Sequence, residues 1–235
     1  MQPITPAALA QAIAGHRQPG RTLLVGITGS VAVGKTTLAA QLAAALPGTV
    51  ELVGTDGFLR RNADLDAAGL AMRKGFPETY DREALAATLA ALRQGPAMVP
   101  GYSHALYDVD PALTRSVAGD VVIVEGLGLA PTDAPPHVHE GLDLLLYIDA
   151  DPADIEAWYV ARFMGLWAAA ADDPASFYRR FRDLDEAGAS DFARHIWATI
   201  NRPNLEHHII RARDVADIVV KKALDHSLHL VTSRK

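Results

Sequence analysis

Gly29-Ser30-Val31-Ala32-Val33-Gly34-Lys35-Thr36 is the stretch that decides how this chain is built. Its spacing fits G-x-x-x-x-G-K-S/T, a loop whose backbone N–H groups wrap the phosphates of a nucleotide. In such a loop Lys35 reaches the β- and γ-phosphates and the Thr36 hydroxyl ligates Mg2+. The expected nucleotide-binding set is Gly29, Ser30, Val31, Ala32, Val33, Gly34, Lys35, Thr36 and Thr37. A bare match can arise by chance, so the flanks must decide. Leu23-Leu24-Val25-Gly26-Ile27-Thr28 is short, apolar and partly β-branched, and predicts a buried strand. From Thr36 to Leu46 the chain is rich in Ala and Leu and stops at Pro47-Gly48, which predicts a helix and its terminator. Strand, glycine loop and helix are the context the motif needs. The ligand predicted is a nucleoside triphosphate.

Working outward, Thr49-Val50-Glu51-Leu52-Val53 predicts a second strand ending at Gly54-Thr55-Asp56-Gly57-Phe58. Ligands of open α/β sheets sit at the carboxyl ends of strands, which puts Asp56 where chemistry should occur. It could accept a hydroxyl proton or hold Mg2+, or be a turn aspartate bonded to its own backbone. Asp120-Val121-Val122-Ile123-Val124-Glu125-Gly126 is the strongest strand signal. An apolar run ending in a carboxylate supplies an acid near the metal, so Thr36 and Glu125 are the candidate Mg2+ group, directly or through water. A strand-end Glu with a purely structural role is the alternative. Pro100-Gly101-Tyr102-Ser103-His104-Ala105-Leu106-Tyr107-Asp108 reads as a non-helical loop able to contact a substrate. Asp151-Pro152-Ala153-Asp154 should cap and open a helix carrying Trp158, Tyr159, Arg162 and Phe163. Tyr159 and Arg162, three apart, share a face. Arg162 could neutralise charge on a transferring phosphoryl group, or be paired on a solvated face.

The remaining signals are organisational. Thr5-Pro6 caps a short helix with Leu9 and Ile13 on one side, and residues 1–21 form that helix and a turn. Residues 60–77 are polar and glycine-punctuated. Asp81 caps a helix to Arg93 with Leu85, Leu89 and Leu92 facing the core. His137 and His139 lie in a loop with no further ligand in sight, more a solvated pair than a zinc site. Leu144-Leu145-Leu146-Tyr147-Ile148-Asp149 predicts another strand. A break is expected from Gly165 to Asp173, then a long helix from Asp173-Pro174 carrying Phe177, Phe181 and Leu184 as packing. Asn201-Arg202-Pro203-Asn204 reads as a turn, and Asp217–Lys221 and Leu228–Val231 as late strands. The expectation is one α/β domain over 1–235: a mostly parallel sheet with helices on both faces and a small helical lid, with 60–77 and 162–173 as lid candidates.

Composition narrows the function. The chain has 235 residues, 49% of them hydrophobic, a net charge of −6 and no cysteine. It can bury a sizeable core, and it lacks disulfides, thiolate metal sites and thiol nucleophiles. With no long basic run, nucleic acid is not an expected partner. No apolar run approaches the roughly 18 residues of a membrane span, and the N-terminus lacks the pattern of a signal peptide. The expectation is a cytoplasmic protein with a small-molecule substrate. A small-metabolite kinase with Asp56 as base leads. A GTPase-like switch should carry an Asn/Thr-Lys-x-Asp motif, which is absent, and a nucleotide-driven remodelling module would need further domains.

Several blocks in order resemble the prokaryotic type I pantothenate kinases, P-loop enzymes related to the uridine kinase and phosphoribulokinase group. They are the Gly29–Thr36 loop, Thr55-Asp56-Gly57-Phe58, Lys74-Gly75-Phe76-Pro77-Glu78-Thr79-Tyr80-Asp81, Tyr102-Ser103-His104-Ala105-Leu106-Tyr107-Asp108, Val124-Glu125-Gly126-Leu127, Trp158-Tyr159-Val160-Ala161-Arg162-Phe163 and Ile200-Asn201. The resemblance implies ATP- and Mg2+-dependent phosphorylation of pantothenate's primary hydroxyl, towards coenzyme A, by a homodimer. It implies Lys35, Asp56 and Arg162 as catalytic residues, and Asp56, Tyr102, His104, Tyr159, Arg162 and Asn201 as the pantothenate site. Ala40 stands where the family carries a basic residue linked to coenzyme A binding, so feedback inhibition is not implied. The alternative acceptors are a nucleoside, a sugar or a phosphopentose.

Overall fold

A computed structural model describes residues 1–234. Its centre is β2 (Leu23–Gly29), in which every residue is buried. Side chains alternate across a strand, so burial at all positions means that both faces are covered. Parallel β6 (Val121–Glu125) and β7 (Leu144–Asp149) flank it. Together with β3 (Val50–Gly54) and β8 (Ile218–Lys222) they make the parallel core of a seven-stranded sheet. That sheet runs in the order β1, β9, β8, β7, β2, β6, β3, with β1 (Gln2–Pro3) and β9 (Leu228–Ser233) antiparallel at one edge. A separate hairpin, β4 (Ala97–Ser103) and β5 (Asp108–Val117), stands apart.

The helices begin where the side chains dictate. The Thr5 hydroxyl accepts from the Ala8 N–H at 3.2 Å to open α1 (Pro6–Ala14). Gly34 introduces α2 (Lys35–Ala45) from the left-handed region, at φ 100°. Asp81 accepts from the Ala84 N–H at 2.8 Å to open α4 (Arg82–Gln94), which buries Leu85, Leu89 and Leu92. The turn from Thr55 to Phe58 follows β3 directly and carries Asp56. These elements lie within a residue or two of the sequence expectation.

Other expectations need correction. The 100–108 stretch is not a free loop, because it forms the tip of the β4–β5 hairpin, whose register shifts between Val99 and Gly101. Pro100, which has no N–H to give a ladder, sits at that irregularity. Segment 60–77 contains α3 (Asn62–Ala67). The expected break at Gly165 is absent, for α5 runs from Pro152 to Ala169. A Cβ at Gly165 would meet nothing within 4 Å. An exposed glycine therefore costs this helix about 1 kcal/mol without ending it. Asp151 does not cap α5 through its side chain but pairs with Lys221 at 2.7 Å. The long helix expected from Asp173 is instead a 3-10 turn (Phe177–Phe181) followed by α6 (Glu186–Ile196), opened by Asp185. Nor is 201–204 a turn: helical structure continues from α6 towards Val215, with π turns at Trp197–Asn201 and Leu205–Ile209.

The end of β6 leaves no room for a side chain. Gly126 lies at φ 145°, and a Cβ there would come within 1.8 Å of Thr55 Oγ1. We expect Gly126→Ala to destabilise the protein by about 1–3 kcal/mol, the usual cost of overpacking. A chain of this size should then melt several degrees lower, roughly 2–4 °C per kcal/mol. An unchanged melting temperature would show that the β6–Thr55 contact is not rigid.

Candidate active site

The site grows from the carboxyl ends of three adjacent strands. Ile27 of β2 and Gly54 of β3 are both level with Glu125 of β6 in the sheet register. The phosphate loop, Glu125 and the Asp56 turn therefore emerge side by side. Gly29 at φ 143° and Gly34 at φ 100° bend the loop back on itself. Lys35 folds across it and donates from Nζ to the Ser30 carbonyl at 2.8 Å. The side chain is part-buried along its length, but its ammonium lies beneath the loop, and that burial lowers its pKa. The Glu125 and Asp56 carboxylates pull in the opposite direction, and Arg162 adds to the lowering. Thr36 Oγ1 donates to Glu125 Oε1 at 2.8 Å.

Two hydroxyls at the loop, Thr28 Oγ1 and Ser30 Oγ, are buried without a hydrogen-bond partner. Unsatisfied buried donors are costly, and here they surround a loop curved to receive oxygen atoms. The hydroxyl of Thr36 and the carboxylate of Glu125 are hard oxygen ligands of the kind Mg2+ takes alongside nucleotide phosphates. Among the described residues no group of three or more His, Cys, Asp or Glu side chains could hold a metal by itself. The His137 and His139 rings stand 6.2 Å apart, and the His139 Nδ1 is buried without a partner.

Asp56 faces a second set of groups. The Tyr80 hydroxyl lies 3.3 Å from Asp56 Oδ1. Tyr102, on the hairpin, has His104 and Tyr107 edge-on at 5.3 and 6.2 Å. Burial raises the pKa of both Tyr102 and Tyr107, and the Asp56 charge raises it further. Tyr107 stacks on Phe177 at 4.1 Å, and the Phe177 N–H donates to the Ala105 carbonyl at 3.1 Å. From α5 come Tyr159 and Arg162. Burial pushes Tyr159 up to about 12 against the opposing effect of a side-chain hydrogen bond with Asn201. The exposed Arg162 guanidinium is close enough to act on Lys35, Tyr107, Tyr159 and Tyr178. Asp56, Tyr102, Tyr159, Arg162 and Asn201 are thus gathered on one side of the loop, with His104 exposed at the hairpin tip.

The site also contains residues to which the sequence pattern assigned no role. Lys74 donates to Asn62 Oδ1 at 2.6 Å and to the Tyr107 carbonyl at 2.5 Å. Its ammonium lies 5.1 and 4.4 Å from the Tyr102 and Tyr107 ring centres. It therefore props the hairpin against α3. Lys222 donates to the Val33 carbonyl at 2.9 Å and lies over the Trp158 ring at 4.2 Å, a second cation beside the phosphate loop. It ends a strand, so the strand-end rule that singles out Asp56 could have found it. The expected Phe177, Phe181 and Leu184 stripe divides: Phe181 packs with Phe163 and Phe192, Phe177 joins Tyr107, and Leu184 is exposed.

Comparison with known proteins agrees with this geometry. The model of the phosphoribulokinase / uridine kinase family matches residues 24–162. A pantothenate kinase of Streptomyces avermitilis is 42% identical, the match covering 93% of this chain and 71% of the relative. One from Clavibacter sepedonicus is also 42% identical, over 95% of this chain and 74% of the relative. Among solved structures, a putative fructose transport system kinase from Silicibacter sp. TM1040 superposes with a TM-score of 0.70 at 30% identity. That likeness covers 91% of this chain and 95% of the other.

Glu125→Gln keeps the shape of the side chain and removes its charge. We expect affinity for a nucleoside triphosphate in the presence of Mg2+ to fall about ten-fold, the scale of one charged hydrogen bond. Affinity without Mg2+ should change much less. Calorimetric titration with and without the metal separates the two, and an equal loss in both would remove Glu125 from the metal group.

Proposed function

Since the chain belongs to the phosphoribulokinase / uridine kinase family and, within it, to the pantothenate kinases, we propose that it phosphorylates pantothenate. The γ-phosphoryl group of ATP passes to the primary hydroxyl, the first step towards coenzyme A. The observation that carries this is the meeting of two groups of side chains beside the phosphate loop. Asp56 and Tyr102 come from one flank, and Tyr159, Arg162 and Asn201 from the other. Pantothenate presents a carboxylate, an amide and hydroxyls, which need donors, a cation and an aromatic wall.

The transfer is direct and in line. Backbone N–H groups of the loop and the Lys35 ammonium hold the β- and γ-phosphates. Thr36, backed by Glu125, would hold Mg2+, which would supply further neutralisation of phosphate charge. The acceptor hydroxyl oxygen bonds to the γ-phosphorus as the bond to the bridging oxygen of ADP breaks. Its proton goes to Asp56. Arg162 faces the charge that develops on the transferring group. Of the two lid candidates, 162–173 includes Arg162 on α5 and is the one proposed to close over the acceptor. Segment 60–77 acts as a buttress, pinned by Lys74 and by the Asn204 side chain, which donates to the Gly75 carbonyl at 2.9 Å.

A second acceptor class has one specific observation behind it. The structure described as a fructose transport system kinase matches over nearly its whole length. A sugar hydroxyl is therefore the competing acceptor. ADP release measured over pantothenate, pantetheine, uridine, phosphopentoses and fructose decides between them. Stimulation by pantothenate alone supports the proposal, stimulation by fructose alone replaces the substrate, and release that no acceptor changes removes the kinase assignment.

Asp56→Asn should lose on the order of 10²-fold or more in kcat, the upper range of a general base, with ATP binding intact. Near-normal turnover would remove Asp56 as base. Tyr102→Phe and His104→Ala should raise the KM for the acceptor and leave that for ATP nearly unchanged. An equal effect on both substrates would count against the acceptor pocket.

A further inference from the structure

Tyr80 lies outside the phosphate loop and the acceptor-binding set, yet its hydroxyl reaches the proposed base. Its ring is buried and packs against Gly128, where an added Cβ would lie 3.1 Å from the ring. The backbone around it is tied to the segment carrying Asp56. Leu59 and Tyr80 form an isolated antiparallel bridge. The Arg60 N–H donates to the Thr79 carbonyl at 2.8 Å, and the Asp81 N–H to the Phe58 carbonyl at 2.7 Å. Asp56 and Tyr80 therefore sit beside two chain segments that these backbone bonds tie together.

We propose that Tyr80 is a positioning residue for Asp56: its hydroxyl, 3.3 Å from Oδ1, holds one carboxylate oxygen and leaves the other for the acceptor hydroxyl. This rests on the assignment of Asp56 as base. A carboxylate has two oxygens and a freely turning χ2, so a base without a partner samples orientations that cannot take the proton. At 3.3 Å the contact is long for an O–H···O bond, so it supplies orientation more than binding energy. Burial, then the Asp56 charge, pushes the Tyr80 hydroxyl well above the ordinary phenol range, so it stays a donor wherever the enzyme works. The neighbouring Thr55 hydroxyl works against that rise without cancelling it, and accepts from the Gly128 N–H at 3.3 Å.

A donor to a carboxylate favours its charged form, and removing the donor makes the carboxylate easier to protonate. The other groups around Asp56 are the Lys35 and Lys74 ammoniums and the Tyr102 and Tyr107 phenols. Both ammoniums remain in a Tyr80 variant, so the effect of losing the hydroxyl is limited.

The test compares Tyr80→Phe, Tyr80→Leu and Asp56→Asn with the wild-type chain, using whichever acceptor drives ADP release. Tyr80→Phe keeps the ring, so its melting temperature should match wild type, whereas Tyr80→Leu should melt lower. With Tyr80→Phe we expect kcat to fall about 3- to 10-fold, the kinetic equivalent of one hydrogen bond. KM for ATP should be unchanged, and the acid limb of the kcat profile should move to higher pH. A role in packing alone would leave that limb in place. If Asp56→Asn is inactive while Tyr80→Phe has wild-type kcat and a superimposable pH profile, the Tyr80 proposal is overturned and Asp56 stands. If Asp56→Asn turns over normally, the assignment of the base fails first.

Discussion

The Lys35 ammonium, held beneath a loop of backbone, is what the rest of the structure must accommodate. A buried cation without partners is costly, and burial is indeed what lowers the pKa of this one. The Ser30 carbonyl accepts a hydrogen bond from it, and two carboxylates stand within electrostatic reach. Those carboxylates come from β6 and from the turn after β3, the two strands that continue the sheet outward from β2. Had either strand been exchanged with β8, which ends at Lys222, Lys35 would face a second cation instead. Strand order and the electrostatics of the loop are thus one constraint, and the same carboxylates become available for metal and proton chemistry.

A second constraint is how closely the backbone segments approach one another. A Cβ at Gly57 would come within 2.3 Å of the Pro100 carbonyl. The absence of that atom lets the hairpin lie directly on the turn that carries Asp56. Tyr102 follows Pro100 by two residues, so this contact sets how far its ring stands from the carboxylate. Lys74 holds the hairpin from the other side, through Asn62 and the Tyr107 carbonyl. The acceptor side of the site therefore depends on backbone fit at one end and on a cation between aromatic rings at the other.

Local chemistry made part of this legible in the sequence. The strands at Leu23, Val50, Val121 and Leu144, the cap at Asp81 and the phosphate loop each follow from a run of neighbouring residues. The failures have physical causes. Pro100 interrupts the strand pattern at a register shift, so a hairpin reads as a loop. Gly165 reads as a stop although nothing in that exposed stretch of α5 forces one. Asp173-Pro174 carries a helix-opening pattern, yet the aromatic residues after it pack on Tyr107 and α5, and a short turn results. In the site, Glu125 was visible because it ends a strand and Asp56 because it lies just past the end of one. Lys74, Tyr80 and Tyr107 take their roles from tertiary contacts that no local spacing encodes.

The misread 201–204 segment shows how such a contact is produced. Pro203 has no N–H to give the Thr199 carbonyl, and in a regular helix its ring would clash there. The chain does not break; it widens into a π turn from Trp197 to Asn201 just before the proline. Such turns shift side chains out of the 3.6-residue register. Asn201, the last residue of that turn, is the one that bonds Tyr159 on α5. A residue that looks like a helix breaker thus leaves the helix standing and redirects a polar side chain into the acceptor side. The phosphate half of the site is written in one continuous motif, whereas the proposed acceptor half depends on irregularities in distant segments. A change of acceptor could arise there without disturbing the loop.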